Sequence, residues 1–424
     1  MNISLKEILN LNEKERFKYL DVLLNNKYLT IKQLEDYYIS NLSKDTISFA
    51  QRYNKFVNLK RIEDAIAERG NNELVYDFAK RVVGANISRL EDIIVKSNDA
   101  GYIIRFAKYV KGANIRKLED AIIKKNNPTY ICEFAQNVPN FDTNRLSSCV
   151  INTNSLDDIL AMANIVRDKR LETAIVASNN PKYIYLFAKK IAWSNKFILA
   201  NAIVKTKNPE YIYYFAKDIV NVNIESLETA IIESGNCYYI RHFAYDVPTA
   251  DINRLKRATI KVGTAEDIYK FANWVSTDNN KPLEDAIIEK GNLDYIIDYA
   301  KNVHGANKSR LEDVVIESAN PKYIYTFAEN VVGADIDKLK EAILKTDNIY
   351  YILLFAKNIL CLKISDLDYI VYMIGRQTSK LSLYGDLKIT IDDELYNQKL
   401  NELKQRITEY TQVKAKKRTL FKKD

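Results

Sequence analysis

The chain has 424 residues, 47% of them hydrophobic, and a formal net charge of +8. No stretch approaches the roughly 18 uninterrupted apolar residues of a membrane span, and the start, MNISLKEILNLNEKER, lacks the apolar core of a secretory signal, so a soluble, cytoplasmic protein with no membrane partner is expected. The charge is local: the tail from Val413 to Asp424 holds six Lys or Arg against one Asp, and the near-neutral remainder argues against one basic groove along the whole chain.

Residues 1–30 read as an N-terminal helical cap. From there a single frame returns every 28 residues: Asn-Pro-x-Tyr-Ile-Tyr-x-Phe-Ala-Lys, then Gly-Ala-Asn-Ile, then Leu-Glu-Asp-Ala-Ile-Ile. Its Phe step stands at Phe49, Phe78, Phe106, Phe134, Met162, Phe187, Phe215, Phe243, Phe271, Tyr299, Phe327 and Phe355. Repetition on this scale marks a stacked array whose units cannot bury their apolar faces alone. The predicted architecture is all-α, an αα-solenoid of about 12 helix-turn-helix repeats over 31–371, with a right-handed superhelix expected.

Four residues before each repeat Leu stands Thr30, Asn58, Asn86, Asn114, Asp142, Asn195, Asn223, Asp251, Asn279, Asn307 or Asp335, each an N-cap for a first helix. Arg167 and Lys363 depart from this. Seven residues before each Phe, Asn71, Asp99, Asn127, Ser155, Asn180, Asn208, Asn236, Thr264, Asn292, Asn320 and Asn348 cap the second helices, and Leu42 of the first repeat does not. Pro128, Pro181, Pro209 and Pro321 follow such caps at the first helical position. Gly70, Gly235, Gly263, Gly291, Asn98, Asn126, Asn154 and Asn179 precede them, where a left-handed residue closes the first helix.

Counting from the Phe as zero, apolar side chains at −4, −3, 0, +1 and +4 form one stripe, which puts the tyrosines at −4 (Tyr102, Tyr130, Tyr183, Tyr211, Tyr239, Tyr295, Tyr323, Tyr351) in the core. Position −2 is apolar too and is assigned to the second helix of the neighbouring repeat. The irregular short link near 163–171, three residues shorter than elsewhere, predicts a local change of twist. Residues 372–424 read as a C-terminal cap, a long helix around Asp393 to Tyr410 and the basic tail. Cys132, Cys149, Cys237 and Cys361 have no CxxC spacing and read as structural thiols.

Paired, capped short helices resemble the αα-solenoid class of the HEAT, armadillo and tetratricopeptide families, although 28 residues is shorter than those units and the tetratricopeptide pattern is absent. The frame YIYxFAKxVxGANIxxLEDAII is also similar to repeats in uncharacterised proteins of phages and AT-rich bacteria. The resemblance implies binding of other macromolecules. Because some HEAT-like solenoids are DNA glycosylases, it also brings a DNA-processing alternative, with Trp193, Trp274 or Asp278 near a flipped base.

No catalytic, metal or cofactor-binding residues are expected: His242 and His304 lack visible partners, and no HExxH, GxGxxG or Walker loop occurs. The Glu after the repeat Leu, at 35, 63, 91, 119, 172, 228, 284 and 312, reads as a solvated first-turn residue near the positive helix end. A non-catalytic scaffold that binds a protein partner through the variable exposed face of the second helices is the first expectation, with Leu186, Tyr214, His242 and Trp274 as contact candidates. The alternative is an RNA or DNA binder. Its lysine ladder would be Lys80, Lys108, Lys189, Lys217, Lys301 and Lys357, joined by Lys414, Lys416, Lys417 and Arg418 of the tail.

Overall fold

A computed structural model describes residues 5–275, 279–362 and 393–420, and in the last segment no side chain beyond Val413. The described residues are all-helical, as the frame predicts, and divide into two compact units, 1–206 and 207–424. The first unit holds two short N-terminal helices, Leu5–Leu9 and Glu13–Asn25, then six helical hairpins from Ile31–Ser40 with Lys44–Arg52 to Lys169–Ala177 with Pro181–Lys190, and helix Lys196–Lys205. The second opens with Pro209–Asp218 and continues through five hairpins, from Ile224–Glu233 with Cys237–Asp246 to Ile336–Leu344 with Ile349–Leu354. A π-helical turn, Phe355–Ile359, follows, and helix Asp393–Leu420 packs on Ile349–Leu354 through buried Leu400, Leu403 and Ile407.

The expected caps act through their side chains. Asn114 accepts from the Lys117 amide, and Asn208 from that of Tyr211. Two apparent gaps close one residue later, because Ser43 caps Lys44–Arg52 in place of Leu42 and Asp168 caps Lys169–Ala177 in place of Arg167. The hydroxyl or carboxylate, not the register, satisfies the orphan amides, so a one-residue slip costs little. Left-handed φ values occur at Gly70, Gly235, Gly291, Asn98, Asn126, Asn154 and Asn179, whereas Gly263 has φ −79° and leads into the Thr264 capping box. Ala319 occupies the same left-handed position with φ 49°. Ala319→Gly is therefore expected to raise the urea-unfolding free energy by about 0.5–1 kcal/mol, since the strain a Cβ incurs there exceeds glycine's extra chain entropy. A lowered midpoint would refute the strain.

Positions −3, 0 and +1 are buried, as in Ile324, Phe327 and Ala328. At −2, Ile47, Tyr76, Ile104, Cys132, Leu160, Tyr213, Ile297, Tyr325 and Leu353 are also buried, because within each unit the second helices pack on one another. The −4 tyrosines differ from expectation: they are half-buried, with Tyr130 38% exposed. The rings of Tyr102, Tyr239, Tyr295 and Tyr351 lie against a tyrosine of the preceding repeat, and the Tyr323 hydroxyl donates to Asp294 at 3.1 Å. A buried phenol needs an acceptor, and the helix edge supplies one only at the rim.

The glutamate column is the larger correction. Glu35, Glu63, Glu91, Glu119, Glu172, Glu228, Glu284 and Glu312 are 1–6% exposed, not solvated. Each carboxylate accepts the backbone N–H of the next repeat's cap residue, at Asn58, Asn86, Asn114, Asp142, Asn195, Asp251, Asn307 and Asp335, over 2.6–3.1 Å. In most of these joints the basic residue three places after the cap also meets the Glu and the acid or hydroxyl beside it. Arg61 bonds Glu35 and Asp36, both at 2.7 Å, and Lys117 reaches Glu91 at 3.2 Å and Asp92 at 2.7 Å. These clasps join successive repeats with charge-assisted bonds to a buried carboxylate. At Lys256 the polarity reverses: the buried ammonium donates to the Asn279 carbonyl at 2.9 Å.

Candidate interaction surface

Within the second unit the tyrosines at −2 obey a pairing rule. The Tyr213 hydroxyl donates to Asp246, Asn302 donates to the Tyr269 hydroxyl at 2.9 Å, and Asn358 to that of Tyr325 at 2.8 Å, each pair 33 residues apart. The same rings pair with the next −4 tyrosine, at centroid distances of 6.1 Å for Tyr213–Tyr239, 6.1 Å for Tyr269–Tyr295 and 6.2 Å for Tyr325–Tyr351. Ile297 and Leu353 leave the rule for an apolar side chain, and Arg241 leaves it for a charge. Arg241 stands where Tyr is expected, Trp274 takes the Asn or Asp position, and Asp267 takes the −4 tyrosine's.

Arg241 is 5% exposed. Its guanidinium lies 4.7 Å from the Trp274 ring centroid and 5.6 Å from that of Tyr238. Its Nε is buried without a hydrogen-bond partner, and no described residue forms an ion pair with it. Asp267 is a charged neighbour, but its Oδ2 is engaged by the Thr264 amide at 3.0 Å and hydroxyl at 2.8 Å. Burial lowers the Arg241 pKa from its ordinary value, yet a guanidinium remains charged in proteins.

Around this cation the second helices Pro209–Asp218, Cys237–Asp246 and Ala265–Trp274 carry a continuous run of rings. Tyr213 meets Tyr214 at 5.2 Å and His242 at 5.8 Å; His242 meets Tyr238 at 4.4 Å and Trp274 at 5.7 Å; Tyr245 meets Trp274 at 6.4 Å. Tyr214, Tyr238, Tyr245 and Trp274 remain 37%, 53%, 64% and 46% exposed, so the run is a surface and not a core. Asp246 anchors its edge, accepting from Tyr213 and pairing with Lys217 at 3.1 Å. Burial opposes its ionisation, but the bonds from Tyr213 and Lys217 outweigh burial and hold the carboxyl below its usual range. Burial, helped by Arg241, lowers the His242 pKa against the pull of Asp246, whose Oδ2 is 3.7 Å from Nδ1, and so keeps the imidazole neutral at pH 7.

Of the four sequence-derived contact candidates, Tyr214, His242 and Trp274 thus belong to one cluster, and Leu186, half-buried on Pro181–Lys190, belongs to the first unit. His242 is a half-buried member of the ring run, with Asp246 beside it. Arg241, Tyr238 and Tyr245 escaped the sequence reading, although a position-by-position scan marks two of them: Arg241 at −2 and, where the lysine ladder should continue at +2, Tyr245.

The ladder itself is engaged with the scaffold. Lys80 donates to the Tyr76 hydroxyl at 3.1 Å, Lys189 to that of Tyr185 at 2.7 Å and Lys217 to that of Tyr213 at 3.0 Å. Lys108 reaches Asn137 at 2.9 Å, and Lys301 reaches Asn330 at 3.2 Å beside a shallow hollow that also contains Asp294 and Asp298. Lys357 is exposed on the π-helical turn. Lys414, Lys416, Lys417 and Arg418 lie on the last helix, with side chains outside the described residues, as does Asp278 altogether. Trp193 is tied down, its indole N–H donating to the Ala163 carbonyl at 3.0 Å next to the short link.

Among the described residues no three His, Cys, Asp or Glu side chains converge on a metal position, and no helix is long and apolar enough to cross a membrane. No protein-family model matches the chain, and the comparison with curated proteins gave no match.

Proposed function

We propose that the chain is a non-catalytic interaction scaffold and that a protein partner docks on the ring cluster of the second unit. The single observation behind this is the exposure of Tyr214, Tyr238, Tyr245 and Trp274 side by side on a rigid helical scaffold. Contiguous exposed aromatic surface of this kind is costly to leave in water, and Trp, Tyr and Arg are the residues that dominate binding energy at protein interfaces. The ladder lysines favour the nucleic-acid alternative less, because their ammonium groups spend hydrogen bonds on Tyr and Asn of the scaffold instead of presenting an uncommitted row to phosphates.

The test is a photoreactive phenylalanine analogue at Tyr245 of the full chain, expressed in its native cells, with Val83, an exposed residue of the first unit, as control site. A discrete protein adduct at 245 that resists nuclease and is lost with Trp274→Ala is expected. An adduct that nuclease destroys, or one no stronger than at 83, would overturn docking of a protein at this face.

A further inference from the structure

The joint at Arg241 replaces the hydrogen bond of the pairing rule with donors for which no described residue supplies an acceptor. In the joints at Tyr213, Tyr269 and Tyr325 the −2 residue and its partner 33 positions on complete each other as hydroxyl with amide or carboxylate. Here both partners only donate. Arg241 is 5% exposed as a residue, has no hydrogen bond from any described residue, and has a fully buried Nε. Trp274 offers an indole N–H that likewise has no acceptor among the described residues, on a ring 46% exposed. The acids of the neighbourhood are committed: Asp267 to the Thr264 cap, Glu266 to Lys270 at 2.5 Å, and Asp246 to Tyr213 and Lys217. What Arg241 lacks is a hydrogen bond to any of these carboxylates.

Resting on the docking reading above, we propose that Arg241 is a receptor for a carboxylate: an Asp or Glu side chain of the protein partner seats at the guanidinium, its stem held between the Tyr238 and Trp274 rings. A guanidinium lying over an indole can keep its terminal N–H groups for a planar carboxylate, and the flanking rings would exclude water that screens the pair. The ring run continues through His242 and Tyr213 to Tyr214, so the residues next to the acid in the partner would be apolar or aromatic. The neutral His242 adds no competing charge.

The experiment follows the indole N–H resonance of Trp274 and the Nε–H resonance of Arg241 in the full chain by transverse-relaxation-optimised NMR. The probes are N-acetylglutamate amide, N-acetylglutamine amide and inorganic phosphate. The glutamate compound should produce saturable shifts with a dissociation constant on the order of millimolar, as befits so small a ligand, and the glutamine compound should bind at least about tenfold more weakly for want of charge. Arg241→Met should abolish the Trp274 shifts with the far-UV spectrum unchanged. Equal response to both amides, shifts that persist in Arg241→Met, or response to phosphate alone would each overturn the carboxylate receptor. The two readings fail separately: if the Tyr245 adduct forms undiminished in Arg241→Met, docking stands and the carboxylate falls. As a second variant in case Arg241→Met misfolds, Arg241→Gln leaves Trp274 in place and should lose the Trp274 shifts with the glutamate compound while remaining folded; shifts that persist in it would overturn the carboxylate receptor.

Discussion

Glu119→Ala is expected to destabilise the first unit by about 3 kcal/mol, the magnitude of breaking a buried, hydrogen-bonded charge pair from one side. Glu119 is 2% exposed; its Oε1 accepts the Asp142 amide at 2.6 Å and its Oε2 meets Arg145 at 3.0 Å. Truncation leaves that amide without a partner and takes from Arg145 one of its two acids, Asp120 being the other. Glu119→Gln, which keeps an acceptor for the amide and loses only the charge, should cost less than half as much. Because each repeat in such an array is coupled chiefly to its neighbours, the loss should be local. Urea denaturation gives the total, and hydrogen exchange should show faster opening at Asp142 and along Thr143–Asn152 than at Asn72–Arg81. A cost under about 0.5 kcal/mol, the level of a surface substitution, would return the column to the solvated role that its sequence position suggests.

The paired substitution Arg241→Tyr and Trp274→Asn is expected to stabilise the second unit by about 1–3 kcal/mol, since well-paired neutral groups commonly outperform a buried, uncompensated charge. The geometry for the replacement already exists one joint on, where Asn302 donates to Tyr269. Arg241→Tyr alone should gain less, because the new hydroxyl then has no Asn amide to accept from, as Tyr269 has in Asn302. Denaturation midpoints of the single and double variants form the cycle that measures this coupling. A natural residue whose removal stabilises the fold is one kept for another reason, and the proposed partner contact supplies it. A double variant less stable than the natural chain would mean that the stack of Arg241 on Trp274 is a structural element in its own right, which would remove this ground for a role in binding.

Several features were legible from residue order because their causes lie within one repeat. Asn and Asp caps, prolines after them, Gly and Asn at helix ends, and the −3, 0 and +1 stripe each depend on neighbours a few positions away, so the frame displays them directly. The apolar −2 column also announced a second contact face, since no single helix pairing accounts for it.

The glutamates were misread for the opposite reason. A Glu in the first turn of a helix looks solvated whenever its only visible neighbours are its own helix, and the acceptor role of Glu119 depends on an amide 23 residues later. A signal did exist: Arg61, Arg89, Lys117, Arg145, Arg170, Arg254, Arg310 and Lys338 each stand directly before a repeat Leu or Ile, in step with the acids. The −4 tyrosines were misplaced because helical phase fixes a direction but not a depth, and a phenol reaching for Asp294 or its equivalent stops at the rim.

By itself, then, the chain's order of residues determined the helices, their ends, the repeat and its apolar faces, because each follows from hydrogen bonds and side-chain phase within some 28 positions. Only the tertiary structure decided which polar residues are spent and which are unmet. Whether Lys217 or Arg241 has an acceptor depends on what the neighbouring repeat brings within about 3 Å, the reach of a hydrogen bond, and that distinction is the ground on which a partner is proposed at the ring cluster around Arg241.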